Sequence, residues 1–124
     1  MICRLWRGWT TPENADAYER IVRGEVIPGI EAMAIPGFRQ IDLLRHPESD
    51  GEIEFLTLMW FDDKASIRAF VGADSTRAHV PEAARAVLAR FDERSRHFAV
   101  LDRRRQRAGA GPAPTAPRRR SRRP

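Results

Sequence analysis

The chain has one cysteine and one tyrosine in 124 residues, and its 22 basic residues include a single lysine, Lys64. The lone thiol, Cys3, cannot close an intrachain disulfide and fits a reducing compartment. Its plain reading is a small apolar side chain in a strand. His46, His79 and His97 stand far apart and none neighbours the cysteine, so metal-ligand spacing is missing. A phosphate-cradling glycine loop and a GxSxG nucleophile elbow are missing too. No stretch approaches the ~20 apolar residues that a membrane-spanning helix requires. The opening MICRLWRGWT has arginines and tryptophans where a signal peptide carries its apolar run. The expected location is therefore cytoplasmic, without membrane attachment, and no metal or other cofactor is expected.

The net charge of +5 and the pI of 10.8 mislead until they are located. Residues 102–124 hold nine arginines against Asp102, whereas residues 1–101 hold 13 basic and 16 acidic side chains. A mildly acidic domain over 1–101 is thus expected to precede a basic tail. From residue 103 the tail has no aliphatic side chain larger than alanine and no aromatic, a composition expected to stay disordered. Its arginines suit phosphate backbones in a salt-dependent, sequence-blind way. No aromatic is interleaved for base stacking, so specific nucleic-acid contact is not expected and a solvated extension is the plainer reading.

What is present is organised around Glu52 to Phe70, EIEFLTLMWFDDKASIRAF. Ile53, Phe55, Thr57, Met59 and Phe61 fall on one side of an extended chain; Glu54, Leu56, Leu58 and Trp60 fall on the other. A strand apolar on both faces is expected to be covered on both. At Asp62-Asp63 the period changes to helical, with a carboxylate where a helix N-terminus wants one. Upstream, Met1 to Thr10 reads as a strand that is also apolar on both faces. Thr11-Pro12-Glu13 starts a helix striped by Ala15, Tyr18, Ile21, Val22 and Val26. Gly24 weakens that helix, and Pro28 is expected to end or kink it near Ile27. Phe38 to Arg45 reads as a strand with one polar face, followed by a loop with Asp50-Gly51 as its turn. A further helix is expected over Pro81 to Phe91 and a last strand over Arg96 to Leu101.

The order is β-α-β-β-α-β, an α+β ferredoxin-like arrangement with two helices on one face of a four-stranded antiparallel sheet. Strands one and three would leave an apolar patch on the open face. A homodimer with the two sheets face to face is the expected cover.

Four stretches carry a family resemblance: MICRLWRGWT, EFLTLMWFDDKASIRAFVGAD, PEAARAVLARFDE and RHFAVL, together spanning 1–101. On these the chain resembles the antibiotic-biosynthesis-monooxygenase-like (ABM) proteins, a branch of the dimeric α/β-barrel superfamily with ferredoxin-like protomers. The resemblance implies a cofactor-free monooxygenase acting on a small phenolic or polyketide-type aromatic. It also admits a non-enzymatic dimeric ligand-binding or structural module of the same fold. Haem-degrading members use an asparagine, a tryptophan and a histidine where this chain has Arg7, Phe70 and His79. Two of those positions depart from the pattern, which leaves haem binding as a further alternative.

Cofactor-free oxygenation needs a base, an aromatic wall and a cation that stabilises the substrate anion. His79, between the Asp74-Ser75 break and Pro81, is the candidate base; its plain alternative is a partly exposed histidine near a helix start. Arg7, a charge inside an apolar strand, is the candidate anion-stabilising group, with an ion pair to Asp62 or Asp42 as the alternative. Trp9, Trp60, Phe70 and His97 are the candidate substrate contacts. Trp60 reads equally as core filler, Trp6 reads mainly so, and His97 has a bond to a neighbouring carbonyl as its alternative. Arg7, Trp9, Trp60, Phe70 and His79 are expected to converge.

Overall fold

The computed structural model describes residues 1–46 and 51–107. The Asp50 half of the expected turn and the tail from residue 108 lie outside the described residues.

Strand β1 (Ile2–Thr10) runs centrally, antiparallel to β3 (Ile53–Phe61) over its whole length. β2 (Phe38–Arg45) flanks β3 on the far side, with a register shift between Phe38 and Gln40. On its other side β1 is met first by β5 (Arg96–Ala99), at Ile2 to Leu5, and then by β4 (Arg90–Phe91), at Gly8 and Trp9. The order β2-β3-β1-β5 of the long pairings is that of the ferredoxin-like sheet expected from the sequence.

The sheet has two unlike faces. Ile2, Arg4, Trp6, Gly8 and Thr10 of β1 register with Phe61, Met59, Thr57, Phe55 and Ile53 of β3. This inner face lies under the helices and carries most of the core; Phe55 and Phe61 are fully buried. Cys3, Leu5, Arg7 and Trp9 register with Trp60, Leu58, Leu56 and Glu54 on the outer face, and all are only half-buried. Phe98 of β5 and Leu44 of β2 extend the outer face at its edges.

Helix α1 (Pro12–Ile21) buries Ala15 and Tyr18 and passes into a π-helical turn (Val22–Val26) and then α2 (Ile27–Ala32). The end or kink expected near Ile27 is met by a change of winding: the helix does not end there. The Ile27 N–H donates to Val22 O, five residues back, and the helix then accepts Pro28 in its first turn. Helix α3 (Lys64–Val71) starts as expected. The Asp63 carboxylate accepts the Ser66 N–H at 3.0 Å, and the helix ends at Gly72, whose φ is +88°.

The expected helix over Pro81 to Phe91 is corrected: only Glu82–Arg85 (α4) is helical. Beyond Leu5, β5 no longer pairs with β1, so the backbone of Arg7 to Trp9 would face an empty edge. The chain after α4 fills it, with Ala89 N–H donating to Trp9 O at 2.8 Å and Asp92 N–H to Arg7 O at 3.0 Å. Trp6 Nε1 secures the same segment through Asp92 O at 2.7 Å. Sheet pairing there outweighs a local helical preference that is weak by comparison. The last strand stops at Ala99 rather than Leu101. Beyond it the exposed chain places Arg103 over the outer-face Trp60 ring at 5.9 Å. No helix among the described residues is long and apolar enough to cross a membrane.

Candidate functional site

A narrow cleft opens between the inner face of the sheet and the helices. Arg4, Trp6 and Met59 form its floor, Tyr18, Val22 and Ile30 one wall, and Phe70, His79 and Ser95 the other. The strand alternation that buries Trp6 also turns Arg4 inward, leaving it 3% exposed. Its guanidinium donates from Nη1 to Ser75 O and from Nη2 to Arg77 O, and Nη1 lies 2.9 Å from His97 Nε2. No carboxylate pairs with it among the described residues. Burial lowers the Arg4 pKa to about 10, so the group stays a cation at neutral pH.

Arg4 lies over the Phe70 ring, 5.5 Å from its centroid. The His79 ring lies 5.0 Å from the Phe70 ring on the way out of the cleft. His79 thus ends a run of rings through Phe70, Phe61 and Phe38 that begins in the core. It is solvent-exposed on one side and packed on the other. Protein crowding on the packed side, and then the Arg4 charge, hold its imidazole below the usual histidine range of about 6.5, so it is a neutral base at pH 7. His97 is lowered similarly, by burial first and by Arg4 and Lys64 after it. Burial also raises the phenol of Tyr18, which is therefore protonated throughout the physiological range.

The inner cleft is tight, with room for water-sized bodies of only ≈ 40 Å³. Past His79 it meets a shallower recess of ≈ 290 Å³ lined by Glu25, Gly29, Met33, Pro81 and Ala83. That recess approaches the ~300 Å³ at which small-molecule sites begin.

The five residues expected to converge fall instead into two groups. Phe70 and His79 meet in the cleft, whereas Arg7, Trp9 and Trp60 lie on the outer face of the sheet. Neither expected partner holds Arg7. Its Nε donates to Asp92 at 2.8 Å, and its guanidinium lies 5.3 Å from the centroid of the Trp9 ring. Asp62 is engaged by Arg39 at 2.6 Å. His97 points to the inner face but contacts Arg4 rather than a backbone carbonyl. The buried cation of the strand is Arg4, which sequence reasoning passed over. The signal was available: Arg4 shares the parity of Ile2 and Trp6, and deciding between the two arginines required knowing which face the helices cover. Among the described residues no group of three or more His, Cys, Asp or Glu side chains is placed to hold a metal ion.

Comparison with known proteins agrees with this geometry at the level of fold. The profile of the family described as antibiotic biosynthesis monooxygenase matches residues 1–82. A Bacillus cereus protein provisionally named an antibiotic biosynthesis monooxygenase superposes with a TM-score of 0.59 at 11% identity, covering 85% of this chain and 97% of its own. A similarly named protein of Chloroflexus aurantiacus gives 0.50 at 17% identity, covering 83% and 95%. A variant of SnoaB, a cofactor-independent oxygenase from Streptomyces nogalater, gives 0.50 at 19% identity, covering 82% and 94%. No curated protein matches the chain in sequence.

Proposed function

The chain belongs to the antibiotic biosynthesis monooxygenase family, and from that premise we propose that it is a cofactor-independent oxygenase acting on a small hydroxylated aromatic of the anthrone type. The observation that carries the reading is Arg4. A buried cation whose partners are two carbonyls and an imidazole is compensated best by an anion entering the cleft.

His79, neutral at pH 7, takes a proton from the activated CH2 or phenol of the substrate. Arg4 stabilises the resulting anion, and Phe70 packs against its ring system. The anion passes one electron to dioxygen, and the radical pair combines to form a carbon–oxygen bond. The proton held on His79 completes the hydroperoxide. Loss of the second proton from that carbon, with cleavage of the O–O bond, expels water and leaves a carbonyl. One oxygen atom ends in the product and one in water, so substrate and dioxygen balance.

The working form is a homodimer, sheet against sheet. The outer face carries Leu5, Leu56, Leu58, Trp60 and Phe98, apolar side chains that no helix among the described residues covers.

A second reading is a non-enzymatic ligand-binding module of the same fold. It draws on the small inner volume of ≈ 40 Å³ and on Arg7 being paired to Asp92. Oxygen uptake separates the two. Purified protein mixed with a hydroxylated anthrone in air consumes one dioxygen per carbonyl formed if the oxygenase reading holds. No uptake above the uncatalysed background, across several such compounds, overturns it.

A further inference from the structure

We infer that His97 is a positioning residue for Arg4: as a neutral acceptor it completes the hold on the guanidinium, and protonation of its ring releases that hold. The role of Arg4 in the cleft rests on the function proposed above; the coupling between the two side chains does not.

The argument is one of donors and acceptors. Arginine has only donors and keeps its proton in proteins. A guanidinium nitrogen 2.9 Å from His97 Nε2 therefore requires a lone pair on that nitrogen, with the ring proton on Nδ1. A doubly protonated imidazole offers no lone pair and would set two cations in contact. The other two bonds of Arg4 run to carbonyls of a single irregular segment, Ser75 and Arg77. Among the described residues His97 alone ties the guanidinium to a neighbouring strand, from the β5 position registered directly beside Arg4.

The charged groups acting on His97 from the packed elements are Arg4 of β1 and Lys64 of α3, both cations. Both resist protonation of the ring and so move the release to more acidic pH, and neither can hold Arg4 once the ring is charged. Once His97 is charged, Arg4 is left facing a repulsive neighbour and has no carboxylate among the described residues to turn to. The consequence is an acid-sensitive cleft: the cation that would meet a substrate anion is held in place when His97 is neutral and let go when it is not.

With only His46, His79 and His97 in the chain, proton-detected NMR can follow each imidazole separately, with His→Gln variants giving the assignment. In the intact protein His97 is expected to titrate below 6.5, and the protected Arg4 Nη1–H resonance is expected to vanish over the same pH interval. In Arg4→Met the His97 midpoint shifts upward. In His97→Gln, whose amide oxygen accepts a bond at every pH, the Arg4 resonance persists through the acid range. An Arg4 resonance that survives protonation of His97 in the intact protein overturns the inference. So does a His97 midpoint unmoved by Arg4→Met. If the coupling appears while no oxygen uptake is found, the proposed reaction fails and the positioning role stands. If uptake is found and the coupling is absent, the reverse holds.

Discussion

The Phe70 and His79 rings lie 5.0 Å apart at 51°, and this contact sets the candidate base at the mouth of the cleft rather than free in solvent. Its expected consequence is a rate controlled by the neutral imidazole. His79→Gln should lower turnover by about 10²-fold or more. In the intact protein the rate should be level at neutral and mildly alkaline pH and fall as acid titrates a group whose pKa is held below the ordinary histidine value. Steady-state rates between pH 5 and about 8 check this range, in which histidine titrates. An acid limb that His79→Gln leaves in place with full activity would remove His79 from the mechanism.

Stability should carry the same signature. His79 and His97 are both lowered in the fold. Between the normal value near 6.5 and the lower folded values, the unfolded chain binds more protons, so stability rises with pH across that window. Above it both states hold neutral rings and the contribution is complete; as pH falls through the window it is lost. Denaturant midpoints measured from pH 8 downward should be level and then decline. The decline should be smaller in His79→Gln and His97→Gln.

Thr10 is fully buried, and its hydroxyl has no hydrogen-bond partner among the described residues. An unsatisfied buried hydroxyl costs roughly 1–3 kcal/mol, and valine has nearly the same shape. Thr10→Val should therefore raise stability by about 1 kcal/mol, read as a higher denaturant midpoint at unchanged slope.

Gly37 takes φ +82°, and a Cβ there would overlap Ser66 Oγ, in the turn that leads into β2. Gly37→Ala should cost about 2 kcal/mol. Gly29 lies in α2 with open space around it, so Gly29→Ala should be neutral or stabilising by about 0.5–1 kcal/mol. Paired thermal melts of the two variants give opposite signs if the backbone is as described.

Leu58 sits mid-strand on the outer face, registered with Leu5 on one side and Asp42 on the other. If that face meets a second copy, the protein sediments as a dimer at micromolar concentration and Leu58→Arg converts it to a folded monomer. An intact protein that sediments as a monomer contradicts the pairing.

Much of the fold was legible because its signals are local. The alternation of Ile53 to Phe61 and the Asp63 cap before α3 need no partner to be read. The helix expected over 81–91 failed for a non-local reason: the edge of β1 beyond Leu5 required a strand, a need that is invisible in residues 86–92 themselves. The site was half legible for a related reason. Periodicity sorted β1 and β3 into two faces correctly, but the face on which the helices land depends on tertiary packing. Arg7, Trp9 and Trp60 were thus placed with His79 when Arg4 was the cation on its side.

The central claim is that Arg4 prepares the cleft for an aromatic anion, and a bound chromophore tests it most directly. A hydroxyanthraquinone, which resembles the expected product, changes colour when its phenol ionises. Titrated with protein at a pH where the free compound is neutral, it should develop the phenolate band with the intact chain and not with Arg4→Met. Binding in the neutral form to both proteins alike, or no binding to the folded intact chain, would contradict the account.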